Sequence, residues 1–304
     1  MSLPAVLQAP ARAVRGARRD GGAGPRALVV PGVVFLVAFF LLPVGTLLAT
    51  SFYAPVPGGE LGEFAPALRW QNYPEALAQF WPQLVRSFGF AGLATLAALV
   101  VGYPMAYLVA VRARGRPTLQ GLLVVLVVAP FFTSFILRTI AWKQILSDQS
   151  AVVSALRWLQ VLPPDGRLTA TPAAVVIGLT YSFLPFMVLP LFASLERLDP
   201  RMLEAGGDLY ASPLTTFRTV TLPLSMPGVV AGTLLTFIPA VGDYVNSSLL
   251  GNSTTTVMIG QVVEARFFRV LDYPTAAVLS VVLLVSVLTA VTLYVRRAGT
   301  EDLV

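Results

Sequence analysis

The chain has 304 residues, of which 56% are hydrophobic and only 12% are charged, whereas charged residues make up about a quarter of an ordinary soluble domain. It contains no Cys and no His, which excludes disulfide frameworks, zinc sites built on those ligands and nucleophilic relays that need a histidine. All but one of its basic residues are Arg, and because they gather beside apolar runs, the net charge of +6 indicates a membrane-topology signal rather than nucleic-acid binding.

Six apolar runs follow a basic N-terminal tail, residues 1–26, which lacks apolar periodicity and is predicted to be flexible. The first run, residues 28–50, is longer than the apolar core of a signal peptide, so we expect an uncleaved helix. The other runs are long enough to cross a hydrocarbon core of about 30 Å as helices; they lie at residues 87–111, 119–141, 172–194, 226–248 and 274–295. The sequence predicts one all-α membrane domain over residues 27–298, followed by a short tail at residues 299–304.

The distribution of basic residues predicts the orientation of this domain. With six spans, 13 of the 21 basic residues fall on one side of the membrane, and the densest groups are the N-terminal tail and the segment Arg112 to Arg116. By the positive-inside rule we expect both termini in the cytoplasm. The segment between the fourth and fifth spans, residues 199–223, is then cytoplasmic, and the loops at residues 53–85, 142–171 and 249–273 face outward.

This cytoplasmic segment carries two helix-start signals. Asp199-Pro200 places a capping side chain before a proline that suits the first helical turn, and Ser212-Pro213 repeats the arrangement. We therefore expect a short helix over residues 201–209 and a second one that ends near Leu222-Pro223. Two short helices at an angle form a compact knob that can fit a groove on a partner, although a self-packed cap is the alternative.

The segment resembles the EAA loop of ABC importer permeases, a pair of short cytoplasmic helices that docks into the cleft of a separate ATPase subunit. In that family Glu204 is expected to pair with a basic group of the ATPase. The positions that the resemblance assigns to this coupling are Glu204, Ala205, Gly207, Asp208, Ala211, Ser212, Phe217, Leu222 and Pro223.

Two positions depart from the family pattern. Gly206 stands where a second Ala is usual, and Tyr210 stands where the turn glycine is usual. Glycine adopts a positive φ at little cost, whereas a bulky Tyr does not. We therefore expect the turn to be displaced or remodelled, with Gly206 and Gly207 supplying flexibility.

Further blocks of sequence extend the resemblance to the spermidine/putrescine-type branch of these permeases. They lie at residues 70–73, 102–107, 138–142, 183–190 and 238–245. The resemblance implies the type I ABC importer permease fold, with six transmembrane helices and a coupling loop between helices 4 and 5. It implies a bacterial inner-membrane subunit, surrounded by lipid, that joins a second homologous permease, two ABC ATPase subunits and an extracytoplasmic binding protein.

The chain itself is expected to be a transport subunit and not an enzyme, with no cofactor or metal of its own. Its single lysine, Lys143, is not preceded by a Gly-x-x-x-x-Gly, so it has no phosphate-cradling loop. ATP and Mg would be used by the partner ATPase.

Ionisable groups at membrane depth are costly and indicate function. Asp243, with Tyr244 and Asn246 beside it, is the first candidate for the translocation pathway, because a carboxylate can pair with an ammonium and an aromatic face attracts cations. Weaker candidates are Arg138, Tyr107 and Tyr181. The alternative is that Asp243 meets the outer interface or pairs with Arg138.

Two other functions stay open at this point. One is import of a different solute, such as ferric iron, sulfate, an opine or a phosphonate; acidic groups along the pore favour a polyamine, and basic groups favour an anion. The other is a secondary transporter or channel that needs no ATPase, which is expected to carry coupling carboxylates at the membrane midplane. The spans contain almost none.

Overall fold

The computed structural model describes residues 24–202, 210–252 and 254–298, and most of them are helical. The described elements are α1 (Gly24–Thr50), β1 (Tyr53–Pro55), β2 (Phe64–Pro66), α2 (Asn72–Arg112), α3 (Pro117–Phe132), α4 (Phe135–Ile145), α5 (Ala151–Trp158), α6 (Pro172–Glu196), α7 (Pro213–Leu224), α8 (Met226–Val241), α9 (Val245–Leu250), α10 (Ile259–Phe268) and α11 (Tyr273–Ala298). The last turns of α2 are π-helical, as is the middle of α7, and α3 ends in a 3₁₀ turn. The two strands form one antiparallel hairpin, which is a small departure from the predicted all-α fold.

Four described helices, α1, α2, α6 and α11, are long and apolar enough to cross a membrane. Two bent pairs add up to two more spans: α3 with α4, which meet at 98°, and α7 with α8, which meet at 67°. The number of spans is therefore four to six, and the predicted six require each bent pair to count as one.

Three predicted runs differ from the observed helices. Helix α2 begins at Asn72 rather than near residue 87, because its first turns carry polar residues that lower the hydropathy without interrupting the helix. The third run breaks at Thr133, whose backbone is extended after the 3₁₀ turn that contains Pro130. The fifth run stops at Val241, and the chain turns before it forms the short helix α9.

Helix α6 is the centre of the bundle and packs against both α2 and α8. Its side chains Met187, Leu191 and Leu195 are fully buried. On α8, glycines spaced four residues apart face α6: a Cβ on Gly228 would lie 2.8 Å from the Pro190 carbonyl oxygen, and one on Gly232 would lie 3.0 Å from the Met187 carbonyl oxygen. Small residues at this spacing let membrane helices approach at backbone distance.

We predict that Gly228→Ala destabilises the protein, because the added methyl group overlaps the α6 backbone. Overpacking of this kind costs about 1–3 kcal/mol. The matched control is Gly89→Ala in α2, where a Cβ meets nothing within 4 Å and alanine favours the helix. Thermal unfolding of the purified protein in detergent measures both variants. Equal midpoints for the two would contradict the close contact of α8 with α6.

Candidate functional site

The predicted coupling loop begins where the sequence places it. The Asp199 carboxylate accepts a hydrogen bond from the Arg201 backbone N–H at 3.0 Å, and residues 200–202 are helical. A side-chain oxygen that binds a free amide of the first turn is the usual N-cap arrangement. The predicted start of the first short helix at Asp199-Pro200 is therefore confirmed.

The end of α6 that leads into this loop is held by Arg114, from the connection between α2 and α3. Its guanidinium donates hydrogen bonds to the carbonyl oxygens of Glu196 at 2.6 Å, Leu198 at 2.9 Å and Leu195 at 3.4 Å. The last carbonyls of a helix lack intrahelical partners and carry partial negative charge, so a cation there is stabilising. Arg114 thus fixes the last turn of α6 immediately before the cap at Asp199. In the sequence it stood out only as one of a cluster of arginines.

Four of the predicted coupling residues, Glu204, Ala205, Gly207 and Asp208, lie outside the described residues. The chain is described again from Tyr210, whose side chain is 99% exposed and whose φ is 56°. Tyr210 therefore has a positive φ at this position, whereas Gly206 and Gly207, expected to supply flexibility, lie outside the described residues. Tyr210 itself adopts the left-handed conformation that the family gives to glycine, at a cost of about 1–2 kcal/mol.

The second short helix also begins as predicted. The Ser212 hydroxyl accepts a hydrogen bond from the Thr215 backbone N–H at 3.2 Å, and Pro213 occupies the first turn of α7. Ala211 is half-buried beside this cap. Helix α7 then turns by 67° into α8 at Ser225.

The inner face of α7 is bound to the membrane core of the same chain. The Phe217 ring meets the Tyr103 ring edge to face, with centroids 5.3 Å apart, and Leu222 packs on the same hydrophobic cluster. The Tyr103 hydroxyl and the Ser225 hydroxyl form a hydrogen bond of 2.7 Å. Phe217 and Leu222 therefore anchor the loop to α2 and α8, while Ser212 and Pro223 are exposed. Tyr103 and Ser225 are residues that sequence reasoning did not single out, although Tyr103 lies in one of the resemblance blocks.

The predicted pathway residues do not form one cluster. Tyr107 lines a cavity of about 900 Å³ beside α7, together with Tyr103 and Phe217, so it lies with the coupling loop. At the opposite end of α8, the Asp243 carboxylate accepts a hydrogen bond from the Asn246 backbone N–H at 2.8 Å and thereby caps α9. Asp243 is only 8% exposed.

Helix α4, which carries Arg138, packs against α9 and against α6, the helix of Tyr181. The Thr139 hydroxyl lies 3.5 Å from the Asn246 amide oxygen, and Trp142 contacts the Tyr181 ring with centroids 5.2 Å apart. The Arg138 guanidinium lies over the rings of Phe131 and Phe135 at 5.8 and 5.5 Å.

Among the ion pairs of the described residues none joins Arg138 to Asp243. Within that part of the chain, Nε and Nη1 of Arg138 are buried without a hydrogen-bond partner. The alternative in which Arg138 neutralises Asp243 is therefore wrong for this structure. Tyr244 is half-exposed.

Residues 98–298 match the family described as binding-protein-dependent transport system inner membrane component. The chain belongs to this family. The chain is 38% identical over 258 residues to the spermidine/putrescine transport system permease protein PotB of Escherichia coli strain K12. The matched region covers 84% of this chain and 91% of that protein. It is 34% identical over 263 residues to the PotB of Haemophilus influenzae, which covers 86% and 90%.

A solved bacterial alginate ABC transporter, in complex with an alginate pentasaccharide-bound periplasmic protein, has the same fold with a TM-score of 0.64 and 15% identity, covering 92% of this chain and 94% of that one. The predicted ABC importer permease fold of type I is confirmed. This chain is therefore a multi-pass inner-membrane transport component and not an enzyme.

We predict that Arg114→Ala loosens the start of the coupling loop, because three carbonyls at the end of α6 lose their donor. Hydrogen bonds to a charged group are worth about 1.5–3 kcal/mol, so the free energy of unfolding should fall by about that amount. The matched control is Arg116→Ala, which removes the same charge from an exposed side chain of the same connection. Equal losses of stability in the two variants would show that the loss of positive charge, and not the loss of the hydrogen bonds to α6, lowers the free energy of unfolding.

A second prediction concerns the backbone at Tyr210. Tyr210→Gly relieves the positive φ, whereas Tyr210→Ala keeps it, so the turn should be about 1 kcal/mol more stable with glycine. Amide hydrogen exchange over residues 199–216 should then be about fivefold slower in the Gly variant than in the Ala variant. Ala211→Gly is the control: its φ is not positive, so glycine there should speed exchange.

Proposed function

We propose that this chain is the permease subunit of an ATP-driven importer for polyamines such as putrescine and spermidine. The observation that carries the proposal is the similarity to PotB, which extends over 84% of this chain and 91% of that relative. The partners in this proposal are a second homologous permease, two ATPase subunits and an extracytoplasmic binding protein. Both termini lie in the cytoplasm, in line with the excess of Arg on that side.

The geometry of the loop supports the proposed coupling to an ATPase. Two capped helix starts, at Asp199 and Ser212, flank this segment, and Phe217 anchors the inner face of α7. The ATPase would bind the exposed side of this segment, with Glu204 pairing with one of its basic groups. Since the sequence has no phosphate-binding loop, ATP and Mg belong to the partner.

The contacts within the chain describe how movement of this loop reaches the membrane. A shift of α7 is passed to α2 through the Phe217–Tyr103 ring contact and the Tyr103–Ser225 hydrogen bond. It is passed to α8 directly, because α8 follows α7 at Ser225. In the proposed cycle, closure of the two ATPases rocks these helices and switches the pathway between inward-open and outward-open states, the alternating access common to transporters of this kind.

Asp243, Tyr244 and Asn246 stay candidates for contact with substrate, at the break between α8 and α9. Nε and Nη1 of Arg138 are buried without a hydrogen-bond partner, a specific observation that favours the other candidate function, import of an anionic solute. A pathway that carries a polyamine needs Arg138 to face protein or water and not the cation, because like charges repel.

The test is uptake of radiolabelled putrescine and spermidine by the full complex in proteoliposomes with its binding protein. We expect uptake that requires ATP and that falls at least tenfold in Glu204→Ala, since loss of one coupling contact of about 1.4 kcal/mol is a factor of ten. Glu301→Ala, which removes an acidic residue from the C-terminal tail, is the control and should transport normally. Uptake that proceeds without ATP, or sulfate uptake in place of polyamine uptake, would reject the proposal.

A further inference from the structure

A cavity of about 460 Å³ lies beside the break between α8 and α9. Its walls come from four places: Ile238 on α8, Gly242 and Tyr244 in the break, Glu264 and Phe268 on α10, and Ser280 with apolar neighbours on α11. Among the described residues that line it, Glu264 alone carries a charge. Small-molecule sites are commonly cavities of about 300–1,000 Å³ with mostly apolar walls and a few polar groups.

Helix α10 is held against the break by direct backbone contact. A Cβ on Gly260 would overlap the Gly242 carbonyl group and lie 3.1 Å from the Asp243 carbonyl oxygen, so only glycine fits there. Ser247 of α9 donates a hydrogen bond to the Gln261 side chain at 3.2 Å. Glu264 is four residues after Gly260 and therefore on the same face of α10, which directs it toward the break and Tyr244.

The carboxylates near the cavity differ in the strength of their hydrogen bonds and ion pairs. Asp243 is buried as the cap of α9. Asp272 pairs with Arg266 at 3.1 Å and also accepts a hydrogen bond from the Thr275 backbone N–H. Glu264, in contrast, has a 23% exposed side chain and a long ion pair of 3.4 Å with Arg269, whose side chain is 70% exposed. Ion pairs with exposed partners contribute little, about 0–1 kcal/mol, so Glu264 can exchange this partner at small cost.

We propose that Glu264, Tyr244 and Phe268 form a binding subsite for an organic ammonium group. In this subsite the ammonium group takes the place of Arg269 as the ion-pair partner of the Glu264 carboxylate. The rings of Tyr244 and Phe268 add cation–π attraction. The apolar wall of α11 suits the methylene chain that follows the ammonium. The choice of a polyamine as occupant rests on the proposed function, but the preference of the cavity for cations does not.

Because the chain has no cysteine, a single thiol can report on the cavity. Ser280→Cys introduces it at the wall, and the full complex in proteoliposomes is treated with a cationic or an anionic methanethiosulfonate of similar size. Modification of this chain is read by mass spectrometry. We expect the cationic reagent to react faster, and the ratio of the two rates to fall about fivefold to tenfold when Glu264→Gln is added, because one nearby charge acts with opposite sign on the two reagents.

Two further variants sharpen the comparison. Arg269→Gln removes the resident cation and should raise the rate ratio, whereas Glu75→Gln, in an exposed pair with Arg69, should leave it unchanged. Spermidine should slow modification of the introduced thiol when Glu264 is present and not when Gln replaces it. Co-purification of the partner subunits confirms that each variant assembles.

The outcomes separate this subsite from the proposed function. A rate ratio unaffected by Glu264→Gln, or a thiol that neither reagent reaches, overturns the subsite. Normal polyamine uptake without protection by spermidine overturns it as a substrate site. Absence of polyamine uptake together with a Glu264-dependent cation preference rejects the polyamine proposal and retains a subsite for another organic cation.

Discussion

The close contact of α8 with α6 is the constraint on which both candidate sites depend. Within a membrane, apolar side chains gain little from leaving lipid, so helices associate through close packing and polar contacts. Gly228 and Gly232 let the α8 backbone lie against α6 at Pro190 and Met187. One end of this pair leads into the coupling loop, from α6 through Asp199 and into α8 through α7. The other end leads into the break that carries Asp243.

This arrangement makes α8 the natural connection between the two ends. It has 16 residues, which corresponds to about 24 Å of helix, and it packs closely on α6. Its one internal proline, Pro239, lies in the last turn, next to the break. The regular helix ends there, and the backbone from Gly242 to Tyr244 is not helical. Physical continuity of this kind is a route for coupling.

Local chemistry explains which parts of the fold could be predicted from the sequence. The two helix starts at Asp199 and Ser212 depend on a capping residue followed by proline, and both contacts are within three residues. The break at Thr133 could not be predicted in this way, because its flanks are as apolar as a continuous span. The bulk of Tyr210 predicts a displaced turn, whereas the structure gives Tyr210 a φ of 56°.

The sequence alone also does not show which charged residues are free to bind a substrate. Its position in an apolar run made Asp243 the first candidate, because an ionisable group at membrane depth indicates function. The structure supplies a role for Asp243 that needs no substrate, since a carboxylate that accepts a backbone N–H at 2.8 Å caps α9. Glu264 lies in a connection between apolar runs where acidic residues are ordinary, and the contact of Gly260 with Gly242 helps to bring it to the cavity. A carboxylate that is already satisfied gains little from a passing cation, whereas one held by an exposed arginine gains more. For that reason the Glu264→Gln change should affect cation preference, and a change at Asp243 should affect first the stability of α9.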